Sequence, residues 1–80
     1  MRKNKDGLRS DELYKAILQL KTEEECKRFF EDLCSLSEIM AMEQRYEVAK
    51  RLYSGAIYST IMEETGASSA IISRVNRSLR

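Results

Sequence analysis

Ser69, Ala70, Ser73, Asn76, Arg77 and Arg80 fall on one side of a helix that has Ser68 as its N-cap. Ile71, Ile72, Val75 and Leu79 fall on the other. Small residues near the start of such a helix let its backbone come close to a surface. The Asn and Arg that follow can make bidentate contacts to base edges or hydrogen bonds to phosphates. Residues 67–80 hold three arginines and no acid, whereas a plain solvated face mixes long side chains of both signs. The chemistry on offer is recognition of a polyanion, with double-stranded DNA as the expected partner.

Arg74 and Ser78 lie between these two faces and point sideways, toward whatever packs beside the helix. An effector pocket could lie there. Bond-making chemistry has little support. The chain has no histidine and no Gly-rich phosphate loop, and its two cysteines, Cys26 and Cys34, are eight residues apart. That spacing argues against a metal site and for two small core residues on one helix face. An enzyme is not expected, and no cofactor is certain.

A reading helix needs a scaffold. There is no proline and only three glycines, so helices are favoured throughout. The first helix is expected from about Asp11 to Leu20, capped by Ser10. The second opens on Thr22-Glu-Glu-Glu25, which fits a capping box, and carries Cys26, Phe29, Phe30, Leu33 and Cys34 as an apolar stripe. The third is expected from near Ser37 to Tyr53, with Ile39, Met42, Tyr46, Ala49 and Leu52 inward and Gly55 as the stop. A fourth spans about Tyr58 to Thr65 and meets the Thr65-Gly66-Ala67 turn before the reading helix. The last two form a helix-turn-helix.

Eighty residues make one small domain, for which a second subunit is a natural source of extra core. The net charge of +1 divides into +2 over residues 1–20, −4 over 21–47 and +3 over 48–80. Residues 1–9 read as a flexible basic arm. No apolar run of 18 residues and no signal-peptide core is present, so a cytoplasmic protein with no membrane partner is expected. A rival to DNA binding stays open: a helical protein-interaction module with the acidic Glu23–Glu47 middle as its partner surface.

The span from about Leu33 to Leu79 resembles the tryptophan repressor family, most closely its YerC/YecD-like branch. The carrying residues are Asp32-Leu-Cys-Ser35, Met42-Glu-Gln-Arg45, Val48-Ala49-Lys-Arg-Leu52, Gly55, Tyr58, Ile61 and the run Thr65-Gly-Ala-Ser-Ser-Ala-Ile-Ile-Ser-Arg-Val75. The resemblance implies an all-α, multi-helix fold with a C-terminal helix-turn-helix, assembled as an intertwined homodimer. Residues 10–53 would be the dimerisation core and residues 54–80 the DNA-binding segment. The expected function is a transcriptional regulator, a repressor, on a near-palindromic operator. Base contacts would fall to Ser69, Ala70 and Ser73.

The resemblance also implies that Arg45, Arg74 and Ser78 form an effector pocket for a small aromatic molecule such as tryptophan, stacked between guanidinium planes. Val75 stands where the tryptophan-binding members have glycine, and its bulk could fill the indole slot. The segment from Ser54 to Gly66 is one residue shorter than theirs.

Overall fold

The structure, a computed structural model, describes residues 9–79. Most of the expected basic arm, and Arg80, lie outside the described residues. Five helices and no strand are present among the described residues, so the all-α plan holds: α1 (Glu12–Leu18), α2 (Glu23–Leu33), α3 (Leu36–Tyr53), α4 (Tyr58–Thr65) and α5 (Ser69–Ser78). The chain divides into two units, one ending at Leu33 and one beginning at Cys34. No helix among the described residues is long and apolar enough to cross a membrane.

In the first unit the local chemistry differs in detail from the sequence reading. α1 is shorter than expected and is flanked by Asp11, whose side chain makes no cap bond. Ser10 Oγ still accepts the Glu12 amide at 3.1 Å, so the serine serves the turn before the helix. At the start of α2, Thr22 Oγ1 accepts the Glu25 amide at 3.0 Å, as a capping box requires. The return bond is displaced by one residue, because the Glu25 carboxylate accepts from Lys21 N at 2.8 Å. Neither helix holds a fully buried residue, and Leu18 and Leu33 are largely exposed.

The second unit has the core. α3, α4 and α5 pack against one another around Val48, Ile61, Ala67 and Ile72, with Leu52, Ala56, Ile71 and Val75 half-buried at its edge. α3 begins one residue earlier than expected, because Ser35 caps it. Ser35 Oγ accepts the Glu38 amide at 3.2 Å, and the Glu38 carboxylate accepts from Ser35 N at 2.8 Å. Its phase also differs. Met42 and Tyr46, expected inward, are exposed at 41% and 65%, and Val48 takes the buried position. α3 is apolar on two opposed sides, so spacing alone could not say which side meets the core. Leu79 is a second correction, half exposed at the C-terminal end of α5. Cys26 and Cys34 are free thiols and only half-buried.

Candidate nucleic-acid interface

The turn that aims α5 is built from Thr65, Gly66 and Ala67. Gly66 has φ of 76°, a left-handed conformation that other residues adopt at a cost. Its amide donates to Met62 O at 2.9 Å and closes α4. The Thr65 hydroxyl donates to Ile61 O at 2.7 Å and accepts the Ala67 amide at 3.2 Å, which stitches the turn to α4. Gln44 on α3 donates its Nε2 to Thr65 O at 3.1 Å. Ala67 is buried, and Ser68 then caps α5 by accepting the Ile71 amide at 3.2 Å. The orientation of α5 therefore depends on both of its neighbours.

Ser68, Ser69, Ala70 and Arg77 are exposed, and Ser73 and Asn76 are half-buried. Ser69, Ala70 and Ser73 sit on the first turns of α5, with Ala70 opposite the fully buried Ile72. This is a shallow surface with few projecting groups. Arg77 extends from the last turn. α5 carries no acidic residue of its own, so its surface is cationic wherever it is charged.

Arg51 makes a different use of positive charge. Its guanidinium donates to Glu47 Oε1 at 2.6 Å and to Glu64 Oε1 at 2.9 Å, tying α3 to α4. The charge counted for residues 48–80 is thus partly neutralised at this point. The hydrogen bond from Arg51, aided by the charge of Lys50, holds the Glu47 carboxyl below its ordinary range. A carboxylate whose folded pKa is depressed adds stability above its unfolded pKa, and that stability is lost as pH falls through the folded value. We expect acid to weaken the Glu47–Arg51 pair within α3. Urea midpoints of Glu47→Gln should therefore depend less on pH below the ordinary carboxylate range than those of the parent. Superimposable acid limbs would refute the link.

Arg74 and Ser78 are four residues apart on α5 and both are exposed. The Ser78 hydroxyl donates to Arg74 O at 3.2 Å, a bond within its own helix. Arg45 is exposed on α3, three residues before the buried Val48. A groove of about 480 Å³ lies along α3 and the end of α4, over Ala41, Glu43, Glu47 and Glu64. None of Arg45, Arg74 and Ser78 lines it.

Tyr58 is the residue of this surface that sequence reasoning missed as a contact. Its hydroxyl accepts from Asn76 Nδ2 at 3.2 Å, joining the first residue of α4 to the third turn of α5. The two residues are 18 apart, and neither helix's own periodicity announces the pair. Ile57, which precedes α4, gives no side-chain cap bond, as expected of an aliphatic side chain.

A second surface runs along α3. Ile39, Met42, Tyr46, Ala49 and Tyr53 recur at alternating steps of three and four, the seam spacing of paired helices. They lie on the side away from Val48, and Tyr53 is 90% exposed. Leu36 and Met40 are exposed as well, so apolar side chains of α3 meet water beyond the seam.

Comparison with known proteins gives consistent matches. The model of the Trp repressor protein family matches residues 9–80. YerC, an uncharacterized protein of Bacillus subtilis, is 53% identical over 73 residues, covering 91% of this chain and 70% of YerC. A solved structure of a TrpR-like protein from Eubacterium eligens aligns with a TM-score of 0.84 at 53% identity, over 88% of this chain and 72% of that one. A second solved structure, from Staphylococcus aureus, aligns with a TM-score of 0.85 at 52% identity, over 92% of this chain and 77% of that one.

Proposed function

The chain belongs to the Trp repressor protein family, and from that premise we propose that it is a sequence-specific regulator that binds DNA as a homodimer and acts as a repressor. Membership supports a DNA-binding regulator and not an enzyme. The observation that carries the finer reading is the surface of α5: exposed Ser69 and Ala70, half-buried Ser73, exposed Arg77 and no acid. The first two turns offer small polar groups to base edges, and Arg77 offers a cation to the phosphates.

The homodimer rests on the uncovered seam of α3. A second copy laid along Met42, Tyr46 and Tyr53 would cover apolar surface that the protomer exposes, and would carry two α5 helices to a near-palindromic site. Arg45, Arg74 and Ser78 remain the positions for an aromatic effector. In this reading they are completed by the partner, since the groove within one protomer passes them by.

The test is a mobility-shift titration of genomic fragments across salt. Binding should fall by about three orders of magnitude or more between roughly 50 and 200 mM salt, as counterions released from phosphates return. Absence of any retained fragment at low salt refutes DNA binding. Retention that ignores salt refutes the phosphate contacts.

A further inference from the structure

The geometry points to Tyr58 as a positioning residue for DNA: its hydroxyl holds the Asn76 amide, and the pair meets a backbone phosphate instead of a base edge. This rests on the DNA-binding reading above and assigns within it a contact that residue types alone leave open. Asn76 could by its chemistry read adenine with Oδ1 and Nδ2 together. In the structure its Nδ2 donates to Tyr58 Oη at 3.2 Å.

The hydrogen count shows what remains. The Asn76 amide nitrogen carries two hydrogens and gives one to Tyr58. The Tyr58 hydroxyl accepts that bond and keeps its own hydrogen, which has no acceptor among the described residues. Two uncharged donors, one from each helix, thus stand side by side with their heavy atoms 3.2 Å apart. That spacing suits the oxygens of one phosphate. Place along the helix decides between backbone and base. Base edges are read by the first turns of a recognition helix, and Asn76 is the eighth residue of the ten in α5. Held from α4, its amide cannot swing freely to follow a base.

Tyr58→Phe keeps the ring and removes the hold. Tyr58→Phe, Asn76→Ala and the double variant would be titrated against a selected operator and an unrelated duplex at several salt concentrations, with thermal melting alongside. Each single variant should bind both duplexes about five- to tenfold more weakly, the size of one or two neutral hydrogen bonds. The slope against salt should not change, because uncharged donors release no counterion. Melting should move little, since the bond is exposed. Adding Tyr58→Phe to Asn76→Ala should cost less than Tyr58→Phe does alone, because the two donors serve one phosphate and the tyrosine also holds the asparagine. Unchanged affinity in Tyr58→Phe, additive losses, or a changed preference between the duplexes overturns the assignment while DNA binding stands. If the parent protein retains neither duplex, the assignment fails together with the reading beneath it.

Discussion

Ile72→Ala is expected to lower the unfolding free energy by about 2–5 kcal/mol, the range for truncating a fully buried aliphatic side chain. Ile72 has no exposed surface and meets Val48 of α3, Ile61 of α4 and Ala67 of the turn in one cluster. It is the residue of α5 on which all three helices converge. Few other side chains are available to collapse into the space, because only these four residues are buried among the described residues. A small domain holds about 5–15 kcal/mol in total, so this single change removes a large share of it. Urea melts followed by circular dichroism would measure it, with Ile72→Val as a graded control near 1 kcal/mol. A loss below about 1 kcal/mol for the alanine variant would mean that the cluster does not anchor α5.

If two copies pair along α3 as proposed, Tyr46→Glu should separate them and weaken operator binding by about 10²–10⁴-fold, the advantage that linking two weak sites provides. Tyr46 is 65% exposed in the protomer, at the middle of the α3 seam between Met42 and Ala49. A carboxylate there leaves the protomer's own core untouched but would be buried, without a partner, against a second copy. Sedimentation equilibrium would report the mass, circular dichroism the retained helix, and gel shifts the affinity. A dimer that persists in Tyr46→Glu would show that copies pair elsewhere. A monomer that keeps full affinity would show that pairing does not serve DNA binding.

The sequence made much of this surface readable, and each shortfall has an identifiable cause. α4 has the bounds expected of it, because Gly66 marks its end with a backbone only glycine adopts readily. Ser68 caps α5 as read, since a serine ahead of an apolar-periodic run has few other uses. α3 was harder. Ser35 and Ser37 both precede its apolar run, and the partner that selects Ser35 is Glu38.

Which side of a helix faces inward is less legible. A helix apolar on two sides satisfies the periodicity of either, and packing against α4 and α5 settled on Val48 over Tyr46. Leu79 shares the phase of Ile72 yet lies past the end of α5, where the core no longer reaches. The bond from Asn76 to Tyr58 and the double grip of Arg51 on Glu47 and Glu64 join separate helices. Such pairs depend on the tertiary arrangement and leave no trace in the spacing within a single helix.

α3 gives these results a mechanical reading. Its 18 residues make a rod of about 27 Å, with neither proline nor glycine to bend it. One side meets α4 through Gln44 and Arg51 and shares the core with α5 through Val48, and the other bears the apolar seam. A dimer joined along that seam works like fixed calipers, with the gap between its two tips set by a shaft that has no joint. Such an instrument measures distance as well as sequence. Each base pair inserted between half-sites turns one tip's target about 35° around the duplex and moves it about 3.4 Å along. The protein would then reject a site whose two halves are each correct but wrongly spaced.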